Sequence, residues 1–143
     1  MRTIALRFGE TFSPPCGTID AHREVIKQLG YVWYGKKGNK VSDKVIQDLL
    51  QNTNLRILLI ASGKSEKYWA YVSEISTELP ELEAIPSYYR NSGAEFKTWF
   101  KITRFEKANK DVLNNCIVVS SHTKLNISSR WSMCPCFIID YFE

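Results

Sequence analysis

The amino-acid sequence predicts an α+β fold: a single domain over residues 1–143 with one curled antiparallel or mixed sheet and two N-terminal helices. Apolar residues recur at helical spacing in two early segments, 18–30 and 42–52. The rest of the chain is rich in β-branched and aromatic runs of strand length. Because the helices come first and the strands follow, we expect a pseudobarrel of about six strands. A chain of 143 residues is long enough for one core and too short for two.

The two predicted helices have recognisable ends. Thr18 is placed to cap the first helix, which stops at Gly30 because glycine readily adopts the left-handed conformation of a helix C-terminus. Ser42 and Asp43 open the second helix. The residues expected on the buried faces are Ile19, His22, Ile26 and Leu29 in the first helix, and Val45, Ile46, Leu49 and Leu50 in the second.

Six segments of strand length and one shorter stretch are expected to build the sheet. The six are residues 2–8, 55–62, 67–76, 97–106, 115–121 and 135–142, and the shorter one is YVWYG at 31–35. Segments 55–62 and 67–76 flank a turn that contains Gly63, so we expect a hairpin there. In YVWYG, alternation buries Val32 and sends Tyr31 and Trp33 to the opposite side.

The overall charge permits a nucleic-acid partner without demanding one, since the formal net charge is +4 and the pI is about 8.9. The N-terminal residues lack the apolar region of a secretory signal. The longest apolar runs, such as ILLIA at 57–61, are far too short to cross a bilayer. We therefore expect a cytoplasmic protein that does not associate with membranes.

Four cysteines, Cys16, Cys116, Cys134 and Cys136, are expected to be free thiols in a reducing compartment. A zinc site that includes His122 is the less favoured alternative, because the CPC spacing at 134–136 is tighter than that of usual ligand pairs. We expect no metal and no cofactor.

Signals for catalysis are weak. GKKGNK at 35–40 matches neither glycine-rich phosphate-binding pattern. His22 lies beside an apolar helix stripe, where a hydrogen-bonded structural histidine is expected. His122 follows a strand but has no evident nucleophile or carboxylate partner. Cys16, before a helix, could be reactive. These features favour a binding protein over an enzyme and leave catalysis open.

Segment 97–106 carries the most informative side chains. Alternation predicts Thr98, Phe100, Ile102 and Arg104 on the core side, and Lys97, Trp99, Lys101 and Thr103 on the other. An aromatic ring between two cations suits a nucleic acid, since the ring stacks on a base while lysines neutralise phosphates. A half-buried tryptophan covered by lysine stems explains this segment equally well.

Large rings are more numerous than a core of this size needs, since aromatic residues make up 13% of the chain. Besides the rings in segments 67–76 and 97–106, the sequence contains Trp33, Tyr34, Tyr88, Tyr89 and Trp131. We expect two or three of these rings to form a binding surface. The alternative is that they straddle the core boundary with their polar tips in water.

The stretches YVWYG and KYWAYV, a loop rich in proline and tyrosine, and FKTWFKITRFEKA with WFKI at 99–102 together resemble the PUA-like superfamily. Within that superfamily the chain resembles the EVE and YTH-type domains, over most of its length and at the level of pattern. The resemblance implies a small pseudobarrel that binds nucleic acid and accepts one flipped base, modified or unmodified, in an aromatic pocket. The related ASCH group's G-x-K-x-x-E-x-R signature is absent, so nuclease-type activity is not implied.

Under this resemblance the base-binding residues are Trp33, Tyr34, Trp69, Tyr88 and Trp99. The phosphate-binding residues are Lys36, Lys37, Lys40, Lys97, Lys101 and Arg104. The expected partner is DNA or RNA, and the oligomeric state is open. Two alternatives stand beside this function: a binder or hydrolase of a free nucleotide or nucleotide-like signal, and a protein-interaction domain. The pocket interpretation requires the three tryptophans of the base-binding set to converge on one cavity.

Overall fold

The computed structural model describes residues 1–8, 17–61, 66–91, 96–126 and 136–142, apart from the side chains of Lys37, Arg90 and Asn91. The described strands are β1 (Arg2–Phe8), β2 (Val32–Lys37), β3 (Arg56–Ala61), β4 (Lys67–Ser76), β5 (Phe96–Lys107), β6 (Cys116–Val118) and β7 (Cys136–Tyr141). The helices are α1 (Thr18–Leu29), α2 (Asp43–Leu50) and the single turn α3 (Tyr88–Asn91), with 3₁₀ turns at Leu82–Ala84 and Val112–Asn115. Cys16, Gly63, Trp131 and Cys134 lie outside the described residues.

One mixed sheet contains the seven described strands in the order β2-β5-β4-β3-β1-β7-β6. β1 and β3 run parallel, and the other neighbouring pairs are antiparallel. The expected α+β class, the mixed sheet and the β3–β4 hairpin are confirmed. The expected closure into a pseudobarrel is wrong: among the described strands, β2 pairs only with β5 and β6 only with β7, so both edges are open. The number of described strands also exceeds the expected six, because the stretch at 31–35 belongs to a full strand, β2, between α1 and α2 in the chain.

The main core lies between α1, α2 and one face of the sheet. Its most deeply buried strand residues are Ile4, Val32, Ile57, Leu59, Phe100 and Ile102. The predicted end of α1 and start of α2 are confirmed, since Gly30 has a φ of 85° and the Ser42 hydroxyl accepts from the Val45 N–H at 3.3 Å. The predicted cap of α1 by Thr18 is wrong, because Gly17 holds the N-cap position without a side-chain hydrogen bond and Thr18 is the first residue of the helix. The predicted burial of Leu29 and Leu50 is wrong, because each is the last residue of its helix and is 40% or 45% exposed. In the described parts of the chain, no helix is long and apolar enough to span a membrane.

Two shifts in register change the expected alternation along β5. Residues 99 to 102 alternate as predicted, with Phe100 and Ile102 in the main core. Lys36 lies opposite Thr98 but the next pair is Lys37 with Phe96, so Phe96 takes the place beside Trp99 that was expected for Lys97. A second shift, between the pairs Val72 with Ile102 and Tyr71 with Arg104, skips Thr103. Arg104 therefore stacks on Tyr71 and does not enter the core.

Candidate functional site

A cluster of aromatic residues lies on the sheet face opposite α1 and α2, beside the open edge of β2. Its buried members are Trp33, Ala84, Ile85, Tyr89 and Trp99, and the partly buried rings of Tyr31, Tyr88 and Phe96 pack against them. We call these eight residues the tryptophan cluster. Strands β2 and β5 form its floor, and the segment 84–89 covers it.

Strand pairing brings the two tryptophans together. In the antiparallel β2–β5 pair, Trp33 lies opposite Lys101 and Gly35 lies opposite Trp99, which makes Trp33 and Trp99 diagonal neighbours on one face. A Cβ atom on Gly35 would lie 2.9 Å from both Phe96 Cδ1 and Trp99 Cζ3. The absence of a side chain at Gly35 therefore lets the Trp99 ring lie over the β2 backbone.

Both indole groups are buried donors. Trp33 is 7% exposed and Trp99 is 1% exposed. Neither Nε1–H has a hydrogen-bond acceptor among the residues that the structure describes. Two such donors in one cluster are unusual, since the large majority of buried side-chain polar atoms in proteins are hydrogen-bonded.

Tyr89 connects the tryptophan cluster to the other face of the sheet around the open edge of β2. Its ring packs edge-on against Phe96 and Trp99, with centroids 4.8 and 5.2 Å away. Its hydroxyl oxygen accepts from the Gly35 N–H at 3.0 Å and lies 2.8 Å from Nε2 of His22 in α1. Tyr89 therefore occupies a backbone donor that the edge strand would otherwise leave unpaired, and it ties α3 to α1.

His22 is the neutral acceptor at the end of this chain of hydrogen bonds. Its Nδ1 lies 2.7 Å from the Thr18 carbonyl oxygen, which only accepts, so Nδ1 carries the proton and Nε2 accepts from the Tyr89 hydroxyl. Burial lowers the pKa of His22 to about 4, against the opposing effect of the Thr18 hydrogen bond. Burial also raises the pKa of Tyr89 well above its usual value, so its hydroxyl keeps the proton. The expected structural role of His22 is confirmed.

Lysine residues surround the end of β2 nearest Trp99. Lys36 pairs with Thr98, and its ammonium group donates to the Asn39 carbonyl oxygen at 2.8 Å. Lys40 lies 3.6 Å from the Asp43 carboxylate. Lys97 is exposed. Ion pairs and hydrogen bonds at an exposed surface contribute little, about 0–1 kcal/mol. Phosphate groups can therefore compete for these lysines at modest cost.

Lys101 and Arg104 lie in a more restricted environment. Lys101 Nζ is 4.4 Å from the centroid of the Tyr31 ring and 3.9 Å from a Glu74 carboxylate oxygen. Arg104 Cζ is 3.8 Å from the Tyr71 ring centroid, and its Nη1 is 3.6 Å from Glu106. Each cation already has a ring and a carboxylate as partners. Both are therefore weaker candidates for phosphate binding than the lysines near Trp99.

The three predicted tryptophans do not converge. Trp33 and Trp99 share the tryptophan cluster, whereas Trp69 belongs to a second cluster on the same face, around Leu58. The β4–β5 register places Trp69 opposite Glu106, at the end of β5 far from Trp99. The expectation of one cavity lined by all three is therefore wrong.

The two tyrosines predicted to bind the base, Tyr34 and Tyr88, also lie in different clusters. Tyr88 packs against the tryptophan cluster and stacks on Tyr89 at 4.6 Å. Tyr34 follows Trp33 in β2 and so points to the opposite face, where it lies in the main core 5.0 Å from the His22 ring. The predicted burial of Val32 opposite Tyr31 and Trp33 is confirmed.

The sequence did not single out Gly35 or Phe96 for this site, and it named Tyr89 only among the surplus rings. Each acts through a partner distant in the chain; the Gly35 to Tyr89 hydrogen bond alone joins residues 54 positions apart. A glycine inside a strand was the one available signal, since it often marks close approach of another group to the backbone.

Metal-binding and nucleophilic groups are sparse in the described residues. These contain no group of three or more His, Cys, Asp and Glu side chains that could hold a metal ion. Burial raises the pKa of the Cys116 thiol to about 12, and its sulfur lies 3.3 Å from the Val112 carbonyl oxygen. His122 is exposed, at a positive φ of 57°.

An open mixed sheet with an aromatic cluster on one face and two helices on the other defines a small α+β domain. The Pua-like family model matches residues 4–133, and the chain belongs to the Pua-like family. Domains of this family commonly bind RNA. No curated protein and no solved structure matches the chain.

Proposed function

We propose that this Pua-like domain binds RNA and holds one base, modified or unmodified, at the tryptophan cluster. The observation that carries the proposal is the diagonal placement of Trp33 and Trp99 on adjacent strands, next to the lysine-rich end of β2. The domain acts as a reader of the base, and we assign no catalytic residue to it.

The outer rings of the cluster supply the stacking surface. Tyr31, Tyr88 and Phe96 are partly exposed, so the cluster reaches the protein surface. Extruding a base from a stack costs a few kcal/mol. Stacking a base on an aromatic side chain returns about 1–3 kcal/mol, so contact with two rings offsets that cost.

The lysines near Trp99 supply the contacts to phosphate. Lys36 and Lys97 lie at one end of the β2–β5 pair, and Lys40 follows β2 in the chain. Farther along β5, Glu74 and Glu106 neutralise the cations Lys101 and Arg104. The nucleic-acid backbone therefore approaches from the 35–40 turn.

Fluorescence anisotropy with labelled RNA and DNA oligonucleotides tests the proposal. Replacing both Lys36 and Lys97 with alanine should weaken RNA binding and lower the slope of log K against log salt by about 1.5, since each phosphate contact contributes roughly 0.7–0.9. The matched control is Lys110→Ala, an exposed lysine outside this end of the sheet. The proposal fails if the native protein binds none of the oligonucleotides at low salt.

A second candidate function is the binding of a free nucleotide, and the pairing of Lys101 and Arg104 with carboxylates favours it. With those two cations engaged, the positive surface is short, which suits a ligand with few phosphates. A mononucleotide in this site should show an affinity that depends much less on salt than that of a polynucleotide. Titration of nucleoside monophosphates at two salt concentrations distinguishes the two candidates.

A further inference from the structure

We propose that the base held at the tryptophan cluster is a keto base, uracil-like or guanine-like, whose acceptor atoms receive hydrogen bonds from the indole N–H groups of Trp33 and Trp99. This inference rests on the proposed function, because it names the chemistry of the ligand at the same site. It is carried by a separate observation, the two buried indole donors.

The two indole N–H groups need hydrogen-bond acceptors, and the described residues provide none. Both Nε1 atoms are buried, and neither has an acceptor among the described residues. An indole N–H can only donate, so it cannot be satisfied by a neighbouring N–H or amino group. A ligand that brings acceptors would offset the desolvation free energy that these N–H groups lose when they are buried without a hydrogen bond.

The polar groups around the donors are already engaged. The Tyr89 hydroxyl bonds to Gly35 and His22, and the Tyr31 hydroxyl donates to Glu81 at 2.9 Å. The remaining buried residues of the cluster, Ala84 and Ile85, have apolar side chains. The described residues thus provide no acceptor within reach of either indole N–H, and we assign the acceptors to a bound molecule.

The bases differ in what they can offer these donors. Guanine presents O6 and N7 as adjacent acceptors, and uracil presents two carbonyl oxygens. On the edge that carries the exocyclic group, adenine and cytosine present an amino group where guanine and uracil present a keto oxygen, which would set a donor against an indole donor. Two donors that face this edge therefore select the keto member of each pair of equal shape.

Two matched pairs of single-stranded RNA octamers test the inference, with one central position changed from adenosine to inosine or from cytidine to uridine. Each pair exchanges an amino group for a keto oxygen on a ring of the same size. The native protein should bind the keto member roughly tenfold more tightly or better, since a well-placed contact to a base edge gives about 1–3 kcal/mol of discrimination. Fluorescence anisotropy measures the affinities.

The indole N–H resonances give an independent readout in ¹⁵N-labelled native protein. On binding of the keto octamer, the Nε1–H signals of Trp33 and Trp99 should move downfield and exchange more slowly with solvent. The signal of Trp69, equally buried but in the other cluster, should stay in place. Trp33→Phe, Trp69→Phe and Trp131→Phe variants each remove one of the four tryptophan signals, so the fourth belongs to Trp99. The binding measurement itself uses the native chain and does not depend on variants that fail to fold.

The possible results separate this inference from the function on which it rests. Tighter binding of the keto octamers together with the shifts of both signals supports it. Binding without keto preference, or with either signal unmoved, overturns the inference and leaves the proposed RNA binding intact. Absence of binding to every octamer overturns both.

Discussion

Removal of a single oxygen atom, in Tyr89→Phe, should destabilise the protein strongly. The ring stays, so its packing against Phe96 and Trp99 is kept, and only the hydroxyl between Gly35 and His22 is lost. That loss leaves two buried groups unpaired, the Gly35 N–H and His22 Nε2. Each unsatisfied buried group costs about 1–3 kcal/mol, so the free energy of unfolding should fall by about 2–6 kcal/mol.

Urea unfolding followed by tryptophan fluorescence measures this loss, with an unchanged m-value as the sign that only stability has changed. Thermal unfolding should show a fall in Tm of roughly 6–18 °C, at about 3 °C for each kcal/mol in a domain of this size. Tyr31→Phe is the matched control, since it removes a hydroxyl whose hydrogen bond to Glu81 is exposed. A loss below about 1 kcal/mol for Tyr89→Phe, similar to that of the control, would refute the reasoning.

Three further predictions concern the packing, titration and reactivity of single residues. Gly35→Ala should cost about 1–3 kcal/mol in urea unfolding, because its Cβ would lie 2.9 Å from the Trp99 ring. The free energy of unfolding should fall by about 3 kcal/mol as pH drops from 6.5 to 4, because His22 takes up a proton in the unfolded chain but, with a pKa of about 4, stays neutral in the folded chain. A His22→Gln variant should lose this pH dependence, and the control His122→Asn should keep it. Iodoacetamide should alkylate Cys116 only after unfolding, since its thiol is buried with a pKa of about 12, and modification of the native protein at this position would contradict that.

Local patterns were sufficient wherever sequence neighbours decide the structure. The end of α1 at Gly30 and the start of α2 at Ser42 follow from backbone conformation and capping within one helical turn. The β3–β4 hairpin follows from two adjacent strand segments. Strand alternation also assigned Val32 to the core and Trp33 to the other face. None of these depends on a distant part of the chain.

The composition of the site depends on register, which no local pattern specifies. Alternation assigns Trp69 and Trp99 to faces of their strands but says nothing about how far apart they lie along the sheet. The β4–β5 register, with its two irregularities, decides that Trp69 lies opposite Glu106. The displacement of Lys97 by Phe96 has the same origin, since one skipped residue reverses which side chain faces Trp99.

Within the tryptophan cluster, hydrogen bonding divides structural roles from binding roles. The Tyr89 hydroxyl is used by the protein itself, so its removal should lower stability while leaving the preference for keto bases unchanged. The indole N–H groups of Trp33 and Trp99 are not used by the described protein. Their loss costs no hydrogen bond to the described residues, and replacing a buried unsatisfied donor with an apolar group of similar shape removes its desolvation cost, so stability should stay the same or rise. Under the proposed function, the site holds these two donors for its ligand at the expense of its own stability, whereas the neighbouring hydroxyl serves the fold.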